Sequence, residues 1–126
     1  MNERILVIED NEQNMYLMNF LLEKKGFEVI QAMTGKEGIE AALSSQPRMI
    51  LLDIQLPEMN GYEVARELRR HSILEAVPII AVTSYAMAGD REKAISAGCT
   101  GYIEKPINPM TFVEEIQQFL KGEERS

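Results

Sequence analysis

The chain is poor in several things that would otherwise set its class. It has one cysteine and one histidine in 126 residues, and aromatic residues make up only 6%. A lone thiol, Cys99, cannot close an internal disulfide, so a reducing cytoplasm is the expected compartment. The single histidine, His71, falls at a helix end and is assigned no role. Positive charge is scarce: 13 Lys and Arg stand against 20 Asp and Glu, a formal net charge of -7. Without a basic footprint, direct nucleic-acid binding is not expected. An acidic balance suits a site that collects a cation, although it more often only keeps a protein soluble. No apolar run approaches a membrane span, and the amino terminus lacks a signal-peptide pattern, so no membrane contact is expected. There is no internal repeat, low-complexity tract or linker. What remains is one soluble globular domain, 45% hydrophobic and 26% charged, with length enough for a real core.

The most informative stretch is Met49-Ile50-Leu51-Leu52-Asp53, four apolar residues running into a carboxylate. A short apolar run without alternation suits a strand buried on both faces of a parallel sheet. A charge inside such a strand would be costly to desolvate, but at its carboxyl end it can face a crevice. That edge is where open α/β sheets bind ligands.

The rest of the chain repeats this unit. Residues 4–9 form a first strand ending in Glu9-Asp10, followed by a helix over about residues 12–25 with Leu17, Met18, Leu21 and Leu22 inward. Gly26 stops that helix. A less apolar second strand at residues 27–32 reads as an edge. Thr34 caps a helix to about residue 45, with Ile39, Ala42 and Leu43 inward, and Pro47 follows. The third strand is 49–53; Pro57 and Asn60-Gly61 mark a loop, and a helix over about 62–71 buries Val64, Ala65 and Leu68. A fourth strand at 78–83 precedes a helix of about 88–97 that ends at Gly98. A fifth strand, 101–105, is closed by Pro106. The last helix, about 109–121, carries Phe112, Val113, Ile116, Phe119 and Leu120 on one face, and a polar tail at 122–126 is expected to fray.

Five strands alternating with five helices predict an α/β, doubly wound domain: a parallel sheet with helices on both faces. Right-handed crossovers bring the strand carboxyl ends to one edge. Glu9, Asp10, Asp53, Thr83 and Lys105 then converge there. Two unit charges about 5 Å apart at an effective dielectric of about 20 repel by roughly 3 kcal/mol, so a proton or a cation must sit among the carboxylates. Hard oxygen ligands with room for water suit Mg²⁺. Lys105 offsets part of the charge and offers a donor to a phosphoryl oxygen. Asp53 is placed to act as a nucleophile toward phosphorus, as carboxylates do in aspartyl-phosphates.

The set Glu9-Asp10, Asp53, Thr83, Tyr102 and Lys105-Pro106 resembles the receiver domain of two-component response regulators. The likeness spans about residues 4–120 in one order. The stretches Val7-Ile8-Glu9-Asp10-Asn11, Asp53-Ile54-Gln55-Leu56-Pro57 and Ala86-Met87-Ala88-Gly89-Asp90 are most similar to DivK-type regulators and to hybrid sensor kinase receivers. The resemblance implies a flavodoxin-like (βα)5 three-layer sandwich with strand order 2-1-3-4-5. It implies that Asp53 accepts a phosphoryl group from a phosphohistidine on a sensor histidine kinase or histidine phosphotransfer protein. Asp10, Asp53 and the backbone carbonyl of Gln55 would bind Mg²⁺, with Glu9 acting through water. Lys105 would hold a phosphoryl oxygen, Thr83 would donate its hydroxyl, and Tyr102 would swing inward. The Lys105-Pro106 bond is expected to be cis. The readout would be the face of the fourth helix, fifth strand and fifth helix, in a monomer or an activation-dependent dimer. A phosphoryl group brings nearly two negative charges, and moving a two-state equilibrium from 1:99 to 99:1 takes about 5.5 kcal/mol.

Two rival classes share the topology. A Mg²⁺-dependent phosphatase with an aspartyl nucleophile usually has a second acid two residues on, where this chain has Gln55, and a substrate cap for which no length is left. A flavin-binding domain would be coloured. A phosphate loop fails on spacing, because Gly35-Lys36 is followed by Glu37 and position 30 is Ile30. No Gly-rich turn follows the first strand, against dinucleotide binding. Tyr16 and Phe20, four apart on the first helix, read either as a local pair or as a docking patch. Tyr85, two residues after Thr83, is expected to slow loss of the phosphoryl group. Cys99 and most methionines read as packing residues, with Met59 and Met87 in loops near the site.

Overall fold

The computed structural model describes residues 3–56, 59–84 and 89–125. Five strands and five helices alternate: β1 (Arg4–Ile8), α1 (Glu12–Lys24), β2 (Glu28–Ala32), α2 (Gly35–Ser45), β3 (Met49–Asp53), α3 (Gly61–Arg69), β4 (Ile79–Thr83), α4 (Asp90–Ala97), β5 (Gly101–Glu104) and α5 (Phe112–Arg125). All pairings are parallel and the sheet order is β2-β1-β3-β4-β5. This is the doubly wound, flavodoxin-like arrangement that the sequence predicts. The inner strands β3 and β4 are buried throughout, whereas β2, with one fully covered residue, is an edge.

The apolar runs split by side-chain alternation. Leu6, Ile8, Ile50, Leu52, Ile79 and Ala81 face one way and meet Ala42, Val64, Leu68 and Ala94 from α2, α3 and α4. Ile5, Val7, Met49, Leu51, Ile80 and Val82 face the other way and meet Met15, Met18, Leu22, Phe112 and Ile116 from α1 and α5. The inner strands β1, β3 and β4 each supply both cores, which is why their sequences are near-continuous apolar runs.

Side-chain caps set the helix starts. Asn11 Oδ1 accepts from Asn14 N at 2.9 Å, Thr34 Oγ1 from Glu37 N at 3.1 Å, and Asn60 Oδ1 from Tyr62 N at 2.7 Å. Glu37 returns a bond by accepting from Met33 N at 3.0 Å. Two glycines let elements approach closely. A Cβ on Gly38 would strike the Ile8 side chain, and one on Gly61 would strike the Ile54 backbone beside Asp53.

Three expectations change. On α1, Met15 is buried, while Leu17 and Leu21 are only half-buried. A 3₁₀ turn, Ser72–Leu74, follows α3. The last helix starts at Phe112 instead of 109, because Asn108 first closes a turn: its Oδ1 accepts from Met110 N and its carbonyl from Thr111 N and Phe112 N. It also runs on through Arg125, past the expected end at about 121. One glycine costs a helix only about 1 kcal/mol, and the flanking Lys, Glu and Arg are good helix formers. Among the described residues no helix is long and apolar enough to cross a membrane.

Candidate functional site

The carboxyl ends of β1, β3, β4 and β5 deliver Glu9, Asp10, Asp53, Thr83 and Lys105 to one edge of the sheet. Backbone bonds hold these ends in register: Glu9 N to Ala32 O at 3.0 Å, Ile54 N to Val82 O at 3.2 Å, and Lys105 N to Thr83 O at 2.8 Å. One carboxylate oxygen from each of Glu9, Asp10 and Asp53 lies within 4.8 Å of the others. Glu9 and Asp53 are buried, at 0% and 3% exposure, and Thr83 is buried at 3%. Asp10 is exposed and forms the open side of the cluster.

Lys105 stands over the acids. Its Nζ lies 2.8 Å from Glu9 Oε1 and 3.5 Å from Asp53 Oδ2, with only 9% of its side chain exposed. Backbone donors complete the site: Asn11 N to Glu9 Oε2 at 3.1 Å, and Gln55 N to Asp53 Oδ1 at 2.9 Å. One ammonium is too little for this cluster. Burial pushes the Glu9 carboxyl up to about 7, the contact with Asp53 adds to the rise, and Lys105 and the Asn11 N–H oppose it. The site thus carries a proton affinity that a hard cation would displace. All-oxygen donors with an open, exposed side fit Mg²⁺.

Tyr102 is half-buried on β5, pairing across the ladder with Ala81, and packs on the sheet face of α3 and α4. Burial, followed by Asp90, Glu104 and Tyr62, raises its hydroxyl pKa. Thr83, two residues along from Ala81, ends β4 on that same face. The Lys105–Pro106 bond is cis.

Other singled-out residues lie elsewhere. His71 sits 3.6 Å from Glu67 beyond α3. Cys99 is buried, and burial pushes its thiol up to about 11, as for an inert packing residue. Met59 is half-buried against the core. Tyr85, Met87 and Pro57 lie outside the described residues. The backbone donors Asn11 N and Gln55 N escaped sequence reasoning, since a main-chain N–H leaves no mark in residue identity. Arg69 escaped it too. Its guanidinium donates to the carbonyls of Gly98 at 2.8 Å, Leu74 at 2.8 Å and Val77 at 2.7 Å, and to Thr100 Oγ1 at 3.2 Å.

A parallel five-stranded sheet with an acidic cluster and a lysine at its carboxyl edge defines a receiver-type signalling module. The chain belongs to the response regulator receiver domain family, whose model matches residues 5–117. It is 42% identical over 120 residues to the polar-differentiation response regulator DivK of Brucella ovis, covering 95% of this chain and 98% of that one. The receiver domain protein (CheY-like) of Methanospirillum hungatei superposes with a TM-score of 0.91 at 30% identity, over 99% of this chain and 98% of that one. The receiver domain of a Pseudomonas aeruginosa sensor histidine kinase superposes with a TM-score of 0.88 at 31% identity, over 96% and 99% of the two chains. That structure has a magnesium ion coordinated in its active-site cleft.

Proposed function

We propose that this receiver is switched by phosphorylation of Asp53. One observation carries the reading: Asp53 ends the central strand with Lys105 Nζ 3.5 Å from one oxygen and the Glu9 and Asp10 oxygens within 4.8 Å. The phosphodonor is a phosphohistidine on a sensor histidine kinase or a histidine phosphotransfer protein. An Asp53 oxygen forms the new bond to phosphorus as the phosphorus–nitrogen bond breaks, and the imidazole leaves with that electron pair. Asp10, Asp53 and the Gln55 carbonyl would hold Mg²⁺, with Glu9 reaching it through water. Mg²⁺, when bound, neutralises charge on the phosphoryl oxygens.

The chain's own groups do the remaining work. Gln55 N–H orients the Asp53 carboxylate through Oδ1. Lys105 donates to a phosphoryl oxygen and opposes the added charge. Thr83 turns its hydroxyl to the phosphoryl group, and Tyr102, on the same sheet face, moves inward into the space this frees. The α4–β5–α5 surface then presents an altered face to its target, as one chain or as an activation-dependent dimer. The rings of Tyr16 and Phe20 stack 6.4 Å apart as a local pair on α1, and their exposure, 73% and 51%, also suits a docking patch for the phosphodonor.

The test is incubation with acetyl phosphate and Mg²⁺, read by intact mass. The wild type is expected to gain one phosphoryl group, and Asp53→Asn or omission of Mg²⁺ to abolish the gain. No gain in a wild type that still binds Mg²⁺ would overturn the reading.

A further inference from the structure

Gln55 joins the two loops that flank the phosphoacceptor. Its N–H donates to Asp53 Oδ1 at 2.9 Å, while its side-chain Oε1 accepts from the Ser84 N–H at 3.4 Å. Ser84 directly follows Thr83 at the end of β4. In the β3–β4 register Val82 lies opposite Asp53, so Gln55 and Ser84 each stand two residues beyond that pair. A single residue therefore spans from the reacting carboxylate to the loop that carries the switch hydroxyl.

This bridge is a weak one. At 3.4 Å it is longer than the usual range of about 2.7–3.2 Å for such bonds. Its acceptor is a neutral carboxamide. A phosphoryl oxygen on Asp53 is anionic, and charge-assisted bonds are shorter and roughly twice as strong. Ser84 is exposed, and the bond from its N–H to Gln55 lies at the surface.

We propose that the Gln55 carboxamide is an internal competitor for the Ser84 N–H. It ties the β4–α4 loop to the β3–α3 loop while Asp53 is unmodified, and yields the N–H to a phosphoryl oxygen afterwards. This rests on the reading of Asp53 as phosphoacceptor. Gln55 is here a positioning residue, acting through Ser84. Because the tie stabilises only the unmodified form, it lowers the affinity for any phosphoryl-like ligand.

The experiment is titration of beryllofluoride, a tetrahedral phosphoryl mimic, at saturating Mg²⁺, with amide hydrogen exchange read at Ser84. Three proteins are compared: wild type, Gln55→Met and Gln55→Glu. Gln55→Met keeps length and loses the acceptor. It is expected to bind beryllofluoride about two- to fivefold more tightly, the effect of losing one weak neutral hydrogen bond. Its Ser84 amide exchanges faster before the ligand is added. Gln55→Glu retains an acceptor and keeps the Ser84 amide protected. Equal or weaker binding by Gln55→Met, or Ser84 exchange that does not change, overturns the proposal. Failure of the wild type to take beryllofluoride at all marks instead the failure of the phosphoacceptor reading, and the proposal falls with it.

Discussion

Lys105 sits closer to Glu9 than to Asp53: its Nζ is 2.8 Å from Glu9 Oε1 and 3.5 Å from Asp53 Oδ2. The ammonium is thus a counter-charge to the buried acid pair before it is a ligand for anything else. Removing it leaves two buried carboxyls and Asp10 without their cation. Lys105→Ala is expected to lower the stability of metal-free protein by about 1–3 kcal/mol, below the cost of an unpaired buried charge because Glu9 can take up a proton instead. The same change leaves the cluster more negative, so Mg²⁺ binds more tightly by calorimetry while labelling by acetyl phosphate slows. Tighter metal with slower labelling separates a phosphoryl-binding lysine from a purely structural one.

The raised Glu9 carboxyl makes the metal-free fold sensitive to pH. Its folded value of about 7 lies above the ordinary 4.5. The fold therefore favours the protonated form, and this group's contribution is fully present below about pH 4.5 and lost as pH rises through about 7. The loss amounts to roughly 3 kcal/mol at most. Urea midpoints of metal-free protein should fall between about pH 5 and 8. Saturating Mg²⁺ should flatten that slope, since the cation replaces the proton. Glu9→Gln should flatten it without metal. A slope that persists in Glu9→Gln would assign it to another group.

Arg69 closes the opposite end of the molecule. It gathers carbonyls from the 3₁₀ turn, from the segment before β4 and from the end of α4. Burial lowers its pKa, although a guanidinium stays charged. Arg69→Ala would leave several carbonyls unpaired and should cost about 2–4 kcal/mol in chemical denaturation. Arg69→Lys should recover little of it, because an ammonium cannot reproduce the planar fork that reaches these acceptors.

How far the sequence could be read follows from what each feature leaves in residue identity. Uniform apolar runs such as 49–52 announce buried parallel strands, and Glu9, Asp53 and Thr83 stand out because each follows such a run. Arg69 does not stand out: on a helix with Arg66 and Arg70 it looks like any solvated charge, and its partners lie 5 to 31 residues away. Gly38 and Gly61 are equally silent, since their reason is the Ile8 side chain and the Ile54 backbone brought close by folding. Main-chain donors at Asn11 and Gln55 depend on loop shape alone. The placement of the site was legible where side chains at strand ends mark it and hidden where tertiary contacts do.

Asp53 adds to the repulsion at Glu9. It is 3% exposed and, by its hydrogen bond and its charge, helps to raise Glu9. Asp53→Asn removes that charge while keeping the size and an acceptor for the Gln55 N–H. The metal-free variant should therefore be more stable than wild type at pH 7, by about 1–2 kcal/mol, and Glu9 should titrate lower. The gain should shrink as pH falls and Glu9 in the wild type takes up its proton. Mg²⁺ should bind the variant more weakly, so that adding metal narrows or reverses the difference. Denaturation of both proteins with and without Mg²⁺, at two pH values, reads all of this. A variant less stable than wild type in metal-free buffer at pH 7 would mean that Lys105 already balances Asp53.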